Sequence, residues 1–97
     1  MSRSEKEDAW TGDAVLALFA RNWILDKKEK MDAEMFTRMT SNVFLNCIGN
    51  PTKVEAEIGR IYNQNGIIKS FEYIENELLP LFLQQEKKRI RQAGGKH

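Results

Sequence analysis

The chain is poor in the residues that carry most covalent chemistry. Of its 97 residues one is cysteine, Cys47, and one is histidine, His97 at the last position. A single cysteine excludes a disulfide within the chain and fits a reducing compartment. It lies in an apolar run and reads as a small core residue rather than a nucleophile. With the only histidine at the very end, a Cys–His or Ser–His mechanism has no base to draw on. Long apolar runs are also missing, so no segment reaches a membrane-spanning length. The first residues lack the basic-then-apolar pattern of a secretory signal. The expectation is a cytoplasmic protein without a membrane partner. Sustained apolar–polar alternation is absent, and so are hairpin dipeptides between β-branched runs, which leaves only weak strand signals. The formal net charge of +1 gives no nucleic-acid signature by itself. The charge is unevenly placed, however: "SEKEDAW" near the start is acid-rich and "EKKRIRQAGGKH" at the end is basic.

What remains is helical periodicity, and it predicts an all-α fold in one domain spanning residues 1–97. Residues 1–9 read as a partly disordered polar segment and 92–97 as a flexible basic tail. A first helix is expected over 13–25, so apolar in "GDAVLALFARNWIL" that it should be buried nearly all round. Asp13 would be its N-cap. A second helix follows Asp32 and carries Met35, Phe36, Met39, Val43, Phe44 and Ile48 to a stop at Gly49. Asn50 and Pro51 open a third helix over 51–63, with Val54, Ile58 and Ile61 on one face. The last helical region, 68–91, contains Pro80, which predicts a kink or a split. A domain this small buries a modest fraction of its surface, so association with a second copy would help it.

Two acids carry the chemical argument. Gly59 sits inside the third helix, where glycine costs about 1 kcal/mol relative to alanine. A glycine kept there marks the close approach of another helix. Glu55, Gly59 and Tyr62 share that face, so Glu55 should lie beside a helix–helix contact. If the contact is with the first helix, Asp13 and Glu55 converge. Two carboxylates at the rim of a dry contact repel each other and need a proton or a cation between them. An oxygen-only pair suits Mg²⁺ or Mn²⁺, with water and substrate phosphate completing the shell. Glu57 falls on another face and reads as solvated. Glu5, Glu7 and Asp8 read as a frayed acidic end rather than as extra ligands.

Three strings in order resemble the ribonuclease III catalytic domain. "GDAVLALFARNWIL" is similar to that family's signature helix, whose Gly-Asp-Ala-Val supplies a metal-binding aspartate. "TRMTSNVFL" is similar to the following helix, which often holds a Ser-Asn pair. "VEAEIGRIYNQNG" is similar to a segment whose glutamate is the other core metal ligand. Full-length members carry a glutamate four residues before the aspartate and an aspartate three residues before the glutamate; here those positions are Ala9 and Thr52. The mini ribonuclease III branch, which has no separate double-stranded-RNA-binding domain, resembles this chain at both. That branch has a long basic segment between the second and third helices, where this chain has only "GNPT".

The resemblance implies a compact ribonuclease III-like helical domain, a homodimer, and hydrolysis of phosphodiester bonds in double-stranded RNA with Mg²⁺ or Mn²⁺. It assigns Asp13 and Glu55 as the catalytic metal ligands. RNA is then held through phosphates and 2′-hydroxyls by cations near the acids. Arg38, Asn42, Lys53 and Arg60 are the candidate contacts. Lys87, Lys88, Arg89 and Arg91 read instead as compensation for a helix C-terminus. Trp10 and Trp23 read as core or dimer-seam residues rather than stacking platforms. The alternative expectation is an inactive copy of the same fold acting as an RNA-binding or ribosome-associated module. An Asp13 turned onto its own helix amides, with Glu55 paired to a lysine or arginine, would mark that case.

Overall fold

The computed structural model describes residues 3–94 and is helical throughout them, in the order α1 (Glu5–Lys28), α2 (Ala33–Thr40), α3 (Asn42–Asn46), α4 (Pro51–Asn65), α5 (Ile67–Glu77) and α6 (Leu79–Gly94). Among the described residues there is no strand, and no helix is long and apolar enough to cross a membrane.

The first helix starts eight residues earlier than the apolar pattern indicated. Ser4 caps it: its hydroxyl accepts from the Glu7 amide at 3.1 Å, and the Glu7 carboxylate accepts from the Ser4 amide at 2.9 Å. This reciprocal pair satisfies two amides that a helix start leaves unpartnered. Glu5, Glu7 and Asp8 then lie in the first turn, where their charge suits the helix dipole. Residues 5–9, expected as a frayed segment, are therefore helical, and Asp13 stands in the middle of α1 rather than at its cap. At the other end, 92–94 belong to α6, while the rest of the expected tail, 95–97, lies outside the described residues, as do residues 1–2.

Asp32 caps α2 as expected, accepting from the Met35 amide at 2.9 Å. The helix expected to continue to Gly49 breaks at Ser41, whose backbone is extended (ψ 152°). The Ser41 hydroxyl donates to the Arg38 carbonyl at 3.1 Å and accepts from the Phe44 amide at 3.1 Å, so one residue closes α2 and opens α3. Asn50 caps α4 and Pro51 occupies its first turn. The last region splits at Leu78, two residues before Pro80. A proline in the first turn of α6 forfeits no hydrogen bond, whereas in a continuous helix it would.

The core is built around α1 and α4. Leu16, Ala20 and Ile24 of α1, Ile58 of α4 and Ile74 of α5 meet Leu45, Leu78 and Phe82 with almost no solvent contact. Fully burying each large side chain contributes about 1.5–3 kcal/mol. Phe82 is held edge-on by Phe44 and Trp23, and Phe19 meets Phe71 the same way. These T-shaped contacts set a positive ring edge against a negative face. Cys47, expected in the core, is exposed; its sulfur accepts from the Gln85 side chain. The short turn after α3 carries it outward. Nor is α1 buried all round: Leu18 and Leu25 are nearly half exposed, and Trp10 is 82% exposed.

Candidate active site

A close approach of two helices positions the two acids. α1 and α4 cross with a glycine from each side at the seam. A Cβ added to Gly12 would stand 1.7 Å from the Glu55 carbonyl oxygen, and one added to Gly59 would stand 1.9 Å from the Asp8 carbonyl oxygen. Only glycine permits this backbone-on-backbone contact. Asp8 also accepts from the Asn63 side-chain amide at 3.2 Å, which ties the start of α1 to the end of α4. Earlier residues of α1 thus face later residues of α4, and the two helices run in opposite senses. Gly59 was expected to mark a helix contact. Its counterpart is Gly12, the glycine directly before Asp13.

Asp13 follows Gly12, and Glu55 is the residue whose carbonyl Gly12 touches. The crossing therefore brings both carboxyls to one edge of the seam. They line an open cleft of about 350 Å³ with Lys6, Ala9, Trp10 and Thr52. On α1, positions 6, 9, 10 and 13 form one face; on α4, 52 and 55 are one turn apart. The small Ala9 and Thr52 leave room between the helices, and Trp10 forms a wall.

The Glu55 carboxyl is pushed up to about 7. Partial burial is the largest cause, followed by a hydrogen bond to Asp13 and the repulsion of its charge. Near neutral pH Glu55 therefore still holds a proton beside Asp13. Neither acid forms an ion pair among the described residues. Raising the pH strips the Glu55 proton and leaves two neighbouring carboxyl groups that repel each other, a donor set that fits a hard divalent cation. It is a set of two: among the described residues no group of three or more His, Cys, Asp or Glu side chains is placed to hold a metal. Mg²⁺ commonly takes one or two carboxylates and completes its shell with water and phosphate.

The candidate RNA contacts lie elsewhere. Arg38 is partly buried and makes a two-pronged ion pair with Glu86 of α6, at 2.9 and 3.0 Å. This holds α2 to α6, and hydrogen bonding to Glu86 chiefly raises the Arg38 guanidinium above its usual range. Asn42 is exposed at the start of α3. Lys53 and Arg60 line a neighbouring cleft with Glu5, Asp8 and Glu57. There Arg60 pairs with Glu57 and bonds Gln64, while Lys53 stands 3.9 Å from Glu5. None of the four borders the cleft of Asp13 and Glu55; among the described residues the cation that does is Lys6, which no motif in the sequence marks. A second opening, also about 350 Å³ but mostly apolar, lies at the far end of α1 between Leu25, Met31 and Phe36. Only one acid, Asp32, lines it, and that acid is engaged by Lys28 and the Met35 amide.

Comparison with family models, curated proteins and solved structures finds no match to this chain.

Proposed function

We propose that the chain is a homodimeric endoribonuclease of the mini ribonuclease III type, cutting double-stranded RNA with Mg²⁺ or Mn²⁺ held by Asp13 and Glu55. The observation that carries this reading is the meeting of the two acids. They come from separate helices 42 positions apart, converge on an open cleft, and neither pairs with lysine or arginine among the described residues. A helix contact needs no such pair, because each uncompensated carboxylate there costs stability.

The chain's residues act by position and charge. Asp13, fixed in mid-helix, and Glu55, fixed by the glycine seam, present oxygens from opposite walls of the cleft. Glu55 gives up its proton before both oxygens can serve as ligands, so activity should rise with pH through about 7. A bound divalent cation supplies an activated water and offsets charge on the phosphate. The Trp10 wall and the Ala9 floor leave one side open for a polymeric substrate. Trp10 is 82% exposed at the cleft rim, and Leu18 and Leu25 add further exposed apolar surface on α1. A second copy covering part of this surface would place two sites across one duplex.

The test is cleavage of a long labelled RNA duplex with Mg²⁺ or Mn²⁺, comparing the wild type with Asp13→Asn and Glu55→Gln. Metal-dependent cutting abolished by both substitutions is the expected result. The observation favouring the second reading, an inactive RNA-binding or ribosome-associated module, is that no third acid stands beside the pair among the described residues. That reading predicts duplex binding without cutting, indifferent to either substitution.

A further inference from the structure

Among the described residues, Lys6 is the one cation lining the Asp13–Glu55 cleft. Local structure gives no reason for a lysine there. It stands in the first turn of α1, between Glu5 and Glu7, where the helix dipole favours acids and disfavours cations. It makes no ion pair among the described residues, although Glu5, Glu7 and Asp8 are its immediate neighbours. A residue kept against its local preference is a candidate for function. We propose that Lys6 is the phosphate clamp of the cleft: its ammonium holds the substrate backbone beside the phosphate that Asp13 and Glu55 address. The proposal rests on the endoribonuclease reading of those two acids.

Charge supports it: among the described residues Lys6 is the cation that lines the cleft of the two acids, and a backbone phosphate carries the negative charge that an ammonium would meet there. Spacing supports it too. Lys6 and Asp13 lie on the same face of α1, seven positions and therefore about 10.5 Å apart along the axis. The flexible four-carbon lysine stem lets the ammonium stand at the end of the cleft away from the acids, which it does not displace. A clamp at this place engages phosphate next to the reacting centre, not the reacting phosphate itself. Lys6 is thus a positioning residue, and it supplies part of the grip that the short link between α3 and α4 does not.

The test compares wild type, Lys6→Gln and Lys6→Arg in two assays. The first measures binding of a short RNA duplex in Ca²⁺ across salt concentrations. The second follows Tb³⁺ luminescence excited through Trp10 on the cleft wall. Lys6→Gln should weaken duplex binding and lower the salt slope by about one contact. The affinity gap to wild type then narrows about threefold between 50 and 200 mM salt. Tb³⁺ affinity should stay the same or rise, because a repelling charge has gone, and Lys6→Arg should restore the RNA slope. Unchanged duplex affinity and slope in Lys6→Gln, with wild type still cutting, would overturn the clamp and leave the endoribonuclease standing. A parallel loss of Tb³⁺ and RNA binding would also overturn it, by showing a structural role. A wild type that neither binds nor cuts duplex RNA would remove the functional reading and the clamp with it.

Discussion

Replacing Gly12 by alanine probes the contact on which the whole site depends. In an ordinary helix interior the change stabilises by about 1 kcal/mol, because alanine loses less backbone freedom on folding. Here the new Cβ would lie 1.7 Å from the Glu55 carbonyl oxygen, 2.7 Å from its carbon and 2.9 Å from the Gly59 nitrogen. All three are backbone atoms, so no side chain can turn aside. Relief to an ordinary contact of at least about 3.2 Å requires α1 and α4 to part by roughly 1.5 Å along their central seam, opening the packing around Leu16 and Ile58. Overpacking of well-packed interiors costs about 1–3 kcal/mol, and a main-chain clash belongs at or above the upper end. A net loss of about 3 kcal/mol would lower Tm by roughly 12–24 °C in a domain of this size. Gly49→Ala is the control, since its Cβ would meet only the Val54 side chain at an ordinary 3.7 Å. Thermal denaturation of the two variants beside wild type decides the matter. A Gly12→Ala protein as stable as wild type, or more stable, would refute the seam and with it the placement of Asp13 against Glu55.

Other consequences follow from the same geometry. Because the folded state holds the Glu55 proton up to about 7, against an ordinary 4.5, its favourable effect on stability is fully present below about pH 4.5 and is lost as pH rises through 7. Glu55→Gln should therefore gain about 1–2 kcal/mol on wild type at pH 8, after allowance for solvent screening, and little at pH 4.5; denaturant titrations at the two pH values check this, and an equal effect at both would contradict it. Arg38→Ala should cost about 2 kcal/mol by stranding the largely buried Glu86, while leaving the salt slope of RNA binding unchanged; a lower slope with unchanged stability would make Arg38 an RNA contact after all. Trp10→Glu should leave the fold of the single chain intact, since the side chain is already exposed, but shift light scattering at micromolar concentration from dimer towards monomer. A wild type that is monomeric there would count against two sites acting on one duplex.

Much of this architecture is legible in the sequence where one local rule acts alone. Asp32, Asn50 with Pro51, and Pro80 each announce a cap or a break, and each lies at one. The convergence of Asp13 and Glu55 was readable for a different reason: a glycine inside a helix is costly enough to need a partner, and Gly59 has one. The failures occur where two rules compete. "SEKE" at 4–7 is a capping box, but the acid-rich stretch after it offers little apolar periodicity beyond Ala9, so the apolar pattern points to the next plausible cap, Asp13. Ser41 interrupts an apolar pattern that fits one continuous helix, and its hydroxyl wins the backbone bonds locally. The cation positions were hardest to read. Proximity in sequence to Glu55 suggested Lys53 and Arg60, yet helical rotation turns both towards the neighbouring acids. Lys6, seven residues before Asp13, faces the cleft because two turns of helix return it to the same side.

The central claim is that Asp13 and Glu55 form a cation site whose occupancy competes with the Glu55 proton. Manganese binding, followed by electron paramagnetic resonance of the free ion at pH 8 and pH 5, tests it most directly. The account predicts Mn²⁺ binding at pH 8 that weakens at pH 5 and is lost in both Asp13→Asn and Glu55→Gln. Binding that is absent at pH 8, or that survives either substitution, would contradict it.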